Sequence, residues 1–283
     1  MFISTEIGSL GLLADTKKIL RVLKAGGFSA YDFSMFRGVP YDRLLEGDDY
    51  RCRAEALKAY ADGIGIVCNQ AHAPFPTAIK GNDVYNEEIF PEIVRAIEVA
   101  GILGAKVCVV HPCNDYTAEE NAVLYRRFEP YARKAGVKIG LENMWNWNAE
   151  DHATPAACSS HHDFLAHLSL LPADVFVACL DIGHSEMRGL DTSAPEMIET
   201  LGARLQALHI HDNDRLHDSH MLPYTHSIDF SAIISALKKI GYNGDVTLEA
   251  DTFIRKFPVE FYPRAAAFMA DVANYIKERL EKT

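Results

Sequence analysis

At 283 residues and 48% hydrophobic, the chain can bury a large core, as one α/β barrel or as two smaller domains. The formal charge of −11 argues against a broadly basic surface of the kind that holds nucleic acid or anionic membrane. No apolar run reaches the roughly 20 residues of a bilayer-spanning helix, and MFISTEIGSLG lacks the basic and long apolar segments of a signal peptide.

Short apolar runs alternate with longer amphipathic segments along the whole chain. A strand over Phe2 to Ile7 precedes a helix over Thr16 to Ala25; Ala30 to Phe33 precedes a helix over Asp49 to Gly63, where Ala54, Leu57 and Tyr60 recur at helical spacing. The third pair is Ile66 to His72 and Glu87 to Leu103, and the fourth Lys106 to His111 and Ala118 to Ala135. Val137 to Glu142 leads through the loop NMWNWNAEDHATP to a helix over His162 to Leu170. Val175 to Asp181 is followed by Pro195 to Leu201, the strand from Leu205 by Phe230 to Ile240, and Asp245 to Glu249 by Pro263 to Leu280. Eight strand–helix pairs with near-continuous apolar strands predict a parallel sheet covered by helices, and this chain length suits a single (β/α)₈ TIM barrel domain over 1–283.

The six cysteines form no CxxC pair, and Cys68, Cys108 and Cys179 lie within apolar runs. They are expected to be buried, reduced thiols in a cytoplasmic protein.

Chemistry concentrates at the strand ends. His72, His111, Glu142, Asp181, His209 with His211, and Glu249 close strands three to eight in turn. In a barrel those ends converge on one mouth. Core packing does not produce such a series, because charged groups avoid burial unless paired or metal-bound. The seventh strand also opens the stretch LQALHIHDNDRLHDSHMLPYTHSIDF, with Asp212, Asp214, Arg215, His217, Asp218, His220 and His226. Imidazole nitrogens together with carboxylate oxygens suit Zn²⁺, Mn²⁺ or a similar divalent ion. His184, one short turn beyond Asp181, would hang over the same mouth, where Asp218 and His220 could meet it. His152, His161, His162, His167 and His217 are assigned to the surface, and Trp145 and Trp147 either pack or stack on the apolar face of a ring.

The motifs HAPF at His72, HP at His111, LEN at Glu142, LDIGH at Asp181 and His184, HIHDND at His209 and TLEA at Glu249 resemble those of the xylose isomerase-like barrel superfamily. That superfamily contains sugar isomerases, ketose 3-epimerases, inosose dehydratases and endonuclease IV. The resemblance implies a divalent-metal-dependent sugar or sugar-phosphate isomerase or epimerase. Glu142, Asp181, His209 and Glu249 would hold Zn²⁺, Mn²⁺ or Co²⁺, Glu142 and Glu249 would alternate as base and acid, and an enediolate would be stabilised by the ion. By the H-x-x-D register His209 is the ligand and His211 stands behind it. His184, His211, Arg215 and Trp145 would contact substrate. The endonuclease IV branch implies up to three zinc ions on His72, His111, Glu142, Asp181, His184, His209, Asp218, His220 and Glu249, with hydrolysis of DNA at abasic sites. A related lyase, as in inosose dehydratase, is a further alternative. The chain departs from the family where HMLPYTHSIDF replaces an HLPPGEGDIDW-like stretch, and where Arg215 stands two residues out of register. No basic, aromatic-interleaved loop marks a nucleic-acid partner. A small sugar, no membrane and a possible homo-oligomer are the expected partners.

Overall fold

The computed structural model describes every residue except 40, 42, 43, 149–151 and 283. Among the described residues, eight short parallel strands carry the fold: β1 (Ile3–Thr5), β2 (Ala30–Ser34), β3 (Val67–His72), β4 (Val107–Val109), β5 (Lys138–Glu142), β6 (Phe176–Asp181), β7 (Leu205–His209) and β8 (Val246–Leu248). β2 to β7 pair in chain order, and β1 pairs with β8. One seam closes through Ser29 N to Ile3 O at 3.2 Å and a bridge between Glu6 and Asp32. The other closes through Ile210 N to Thr247 O at 2.9 Å and Glu249 N to Ile210 O at 3.0 Å. The result is the expected (β/α)₈ barrel, wrapped by α1 (Thr16–Gly26), α2 (Tyr50–Ile64), α3 (Asp83–Leu103), α4 (Ala118–Ala135), α5 (His161–Ser169), α6 (Ala194–Leu201), α7 (Phe230–Lys239) and α8 (Tyr262–Glu281).

Local chemistry sets the element ends. α4 starts where Thr117 and Glu120 cap each other's backbone N–H groups and stops at Gly136, whose φ of +68° favours glycine. α3 starts four residues earlier than its apolar periodicity suggests, because the Asn82 side chain accepts from Tyr85 N. β4 ends before His111, and Pro112 has no N–H to extend the ladder. β1 is also shorter than expected, because Ile7–Leu13 turns into a 3₁₀ helix. His167 is a correction to its surface assignment. It is buried beside Phe164 and Leu168, with Nδ1 2.9 Å from Asp163 O and Nε2 3.2 Å from Asn121 Nδ2.

Strand alternation divides the residues into those facing the helices and those facing the barrel axis. Along the axis, Val107, Val109, Val177, Cys179 and Ala207 pack as one small apolar cluster. Gly140 is required there, since a Cβ would come within 2.8 Å of Val107 Cγ1. Near the opposite end from the mouth, Ser4 Oγ donates to Thr247 Oγ1 at 2.9 Å. Asn69 Nδ2 reaches the same oxygen at 3.3 Å. Cys68, Cys108, Cys113, Cys158 and Cys179 are buried and free, while Cys52 is exposed. Among the described residues no helix is long and apolar enough to cross a membrane.

Candidate active site

Two residues beyond each axial position, the same alternation delivers a polar side chain to the mouth: Gly140 leads to Glu142, Cys179 to Asp181, Ala207 to His209 and then His211, and Thr247 to Glu249. The strands end in three adjoining groups of ligand atoms. In the first, one atom each of Glu142, Asp181, His209 and Glu249 lies within 4.8 Å of the others. His209 Nδ1 is 3.1 Å from both Glu142 Oε1 and Glu249 Oε2. In the second, His111 Nε2 is 2.9 Å from His72 Nε2 and 3.1 Å from Glu142 Oε2. In the third, His184, His211, Asp218 and His220 meet within the same 4.8 Å limit.

The outer nitrogens explain how the rings are aimed. His72 Nδ1 is 2.8 Å from Ala73 O, His184 Nδ1 2.9 Å from Asn143 O, and His220 Nδ1 2.9 Å from Glu249 O. A carbonyl only accepts, so each Nδ1 carries a proton and each Nε2 points inward, the aim that metal ligation needs once that nitrogen gives up any proton of its own. His209 is reversed: its Nε2 donates to Asp32 Oδ2 at 3.2 Å, and Gln70 Nε2 donates to the same oxygen at 2.8 Å. Asn143 steadies Asp181 by donating to its carbonyl and accepting from its N–H, at 2.9 and 2.8 Å.

Electrostatics at the mouth are strained. Burial favours a neutral Glu142, but His209 and His111 outweigh it and hold the carboxyl well below the usual range. Burial also opposes the charge on Asp181, yet His184 and His211 bring its pKa to about 2. Burial, with Glu142 and Asp181 adding to it, pushes Glu249 well above the usual range despite His209 and His220. Asp181 Oδ2, Glu249 Oε2, Asp218 Oδ1 and His211 Nε2 are buried without a hydrogen-bond partner. Leaving such atoms unpaired costs about 1–3 kcal/mol each. The donor set therefore fits a divalent ion, which satisfies lone pairs that no protein N–H reaches.

A cavity of about 750 Å³ opens over the groups. Leu12, Phe36, Phe75, Met144 and Trp145 give it apolar walls, and Glu6 and Asp251 add acids. Arg255 is its one arginine or lysine among the described residues, and it is committed to Asp251 Oδ2 at 2.6 Å and Gly8 O at 2.9 Å.

Arg215 does not line this cavity. Its guanidinium is 3.2 Å from Glu186 Oε2 in a neighbouring surface hollow. Asp212 organises the loop, accepting from the backbone N–H groups of Asn213, His226 and Ile228. Asp214 and His217 pair in solvent at 2.8 Å. His211 lies against Asp181, with Nε2 3.1 Å from its Oδ1, and its ring stacks on that of His220. Glu6, Asp32, Asp251 and Arg255 were not anticipated. Asp32 had a legible signal, a lone acid inside the apolar run AYDF.

A sequence match covers residues 19–272 with the family described as xylose isomerase-like TIM barrel. The uncharacterized protein MJ1311 of Methanocaldococcus jannaschii is 29% identical over 191 residues, 63% of this chain and 62% of that protein, so the matched region is less than two thirds of the relative. Among solved structures, a D-tagatose 3-epimerase-like protein superposes with a TM-score of 0.74 at 22% identity, covering 97% of this chain and 99% of that one. The IolI protein with a bound zinc atom superposes with a TM-score of 0.74 at 18% identity, covering 99% and 98%. At these identities the superpositions speak for the fold, while the sequence match spans most of the chain: it belongs to the xylose isomerase-like TIM barrel family.

Proposed function

We propose that this protein is a divalent-metal-dependent isomerase or epimerase acting on a small, unphosphorylated sugar or related polyol. The observation that carries the reading is the placement of Glu142 and Glu249. They come from β5 and, just past its end, from β8, on different sides of the barrel, yet each brings a carboxylate oxygen to 3.1 Å from His209 Nδ1. Glu142, Asp181, His209 and Glu249 would hold the ion. When bound, it supplies Lewis acidity to adjacent carbonyl and hydroxyl oxygens of the substrate. Glu142 takes the proton from the carbon beside the carbonyl, and Glu249 returns one from the other side. Asp32 fixes the His209 ring, and Phe36, Phe75 and Trp145 offer flat apolar surface to the C–H face of a sugar while excluding water. Arg255 is already neutralised by Asp251, which leaves no free cation among the described lining residues for a phosphate. The D-tagatose 3-epimerase-like and zinc-containing IolI folds support this choice.

A second reading, hydrolysis of a phosphodiester at a cluster of ions, is favoured by one observation. His72, His111, His184, Asp218 and His220 gather beside the first group. The acid-lined cavity wall opposes it, because a polyanion needs positive charge along its track. One pair of assays separates the two: solvent deuterium exchange into a panel of ketoses, and cleavage of an abasic-site duplex. Exchange that disappears on chelation and returns with Mn²⁺, Co²⁺ or Zn²⁺ is expected. Strand cleavage without exchange would reverse the choice.

A further inference from the structure

The first strand also sends an acid to the mouth, and none of the three ligand groups uses it. Ser4 of β1 faces the floor, and Glu6, two residues on, faces the cavity together with Tyr41, Asp251, Thr252 and Arg255. Glu6 is 3% exposed, and its carboxyl is fixed in place. Oε1 accepts from Gly8 N at 2.6 Å and from the Ser34 hydroxyl, and Tyr41 OH stands 2.8 Å from Ser34 Oγ. Gly8 makes the approach possible, since a Cβ there would lie 2.4 Å from Oε1 and 2.9 Å from Oε2. Among the described residues no donor reaches Oε2. The one arginine or lysine among the described lining residues, Arg255, is spent on Asp251 Oδ2 and Gly8 O. Burial, reinforced by Asp251 and Asp32, pushes the Glu6 pKa up to about 8, so a cation arriving at neutral pH displaces a proton. A buried carboxyl held at one oxygen, bare at the other and without a counter-charge suits a ligand that brings a donor and a positive charge together.

We infer that Glu6 is a specificity-determining residue that binds a primary ammonium group, so that the substrate is an amino sugar or amino polyol seated with its amine toward β1 and its reacting carbons toward Glu142 and Glu249. A hydroxyl can donate to Oε2 as well, but it leaves the carboxylate charge unbalanced in a buried wall that already holds Asp251. An anionic substituent would be repelled there. One free oxygen is too few ligands for another metal ion. The inference rests on the reading of the cavity as a sugar site and narrows its substrate class.

The test is calorimetry at neutral pH with Mn²⁺ added, comparing 2-amino-2-deoxy-, 3-amino-3-deoxy- and 6-amino-6-deoxy-D-glucose with D-glucose. At least one amine should bind wild type about tenfold or more tighter than glucose, with proton release that follows the ionisation enthalpy of the buffer. Glu6→Gln keeps the shape and the acceptor for Gly8 N but loses the charge, so it should bring that amine down to the level of glucose. If Glu6→Gln folds poorly, wild type with ¹³C-labelled glutamate carboxyls reads the contact directly: the Glu6 resonance should move with the amine and stay with glucose. Equal binding of amines and glucose, a preference that survives Glu6→Gln, or an unmoved Glu6 resonance overturns the inference, and the isomerase reading stands wherever deuterium exchange into ketoses persists. No binding by any of the four overturns it too, and takes the sugar reading with it when exchange into ketoses is also absent.

Discussion

The two ends of the barrel treat buried polar groups in opposite ways. At the floor, Ser4, Asn69 and Thr247 are neutral and hydrogen-bond one another beneath the plug of Val107, Val109, Val177, Cys179 and Ala207. At the mouth, Glu142, Asp181, Asp218 and Glu249 crowd six histidines, and several buried atoms find no partner. The floor is built of neutral groups, with Asn69 Oδ1 also left unpartnered, while the mouth gathers acids and imidazoles whose unpaired atoms fit a divalent ion. Stability and chemistry are thus separated along one axis, with the plug between them.

Substitutions at the two ends should split accordingly. Glu142→Gln or Glu249→Gln at the mouth removes ligand charge and proton transfer together. Turnover should fall by about two to four orders of magnitude with the melting temperature of the metal-free protein preserved; turnover retained in both variants breaks the division. Val177→Ala in the plug should do the reverse, costing about 2 kcal/mol in denaturant unfolding while leaving ion affinity at the mouth unchanged. Asp32→Asn sits between the ends and sharpens the boundary. It keeps the shape but weakens the hold on His209 Nε2, so ion affinity measured by calorimetry should drop about tenfold or more.

A pH effect concerns Glu6, buried at the rim beside Ser34, with its side chain accepting from Gly8 N at 2.6 Å. Burial, reinforced by Asp251 and Asp32, pushes its pKa up to about 8. The folded state therefore binds a proton that the unfolded chain releases near pH 4.5. Its contribution to stability is full below that value and is lost as pH rises to about 8, with a slope of up to ~1.4 kcal/mol per pH unit. Glu6→Gln should flatten that part of the stability–pH profile, and an unchanged profile would remove Glu6 from the set of protonated acids.

The barrel and its first ligand group were legible because both are written in strand alternation. An apolar run ending in a single acid or histidine, as in KIGLE or FVACLD, locates a strand and its mouth residue at once. Asp32 escaped because its acid lies within the run, where β2 passes beneath His209. His167 was legible in principle, since it shares the helical face of Phe164 and Leu168. The histidine-rich loop was legible in part: Asp218 and His220 were expected to meet His184 and His217 to lie at the surface, whereas Arg215 was expected against substrate and turns to Glu186. Asp218 and His220 turn inward, while Asp214 accepts from Leu216 and His217 N–H and carries His217 into solvent. Composition is nearly the same in both halves, and only the turn geometry distinguishes them. The cavity walls from Leu12, Phe36 and Phe75 come from a 3₁₀ helix and two loops whose meeting depends on barrel closure.

The carbonyls that hold His72, His184 and His220 belong to the main chain at Ala73, Asn143 and Glu249. Tautomer choice at these rings is therefore insulated from side-chain replacement nearby. A lineage could remodel Phe75, Met144 or Trp145 to admit a different guest without re-aiming those three nitrogens.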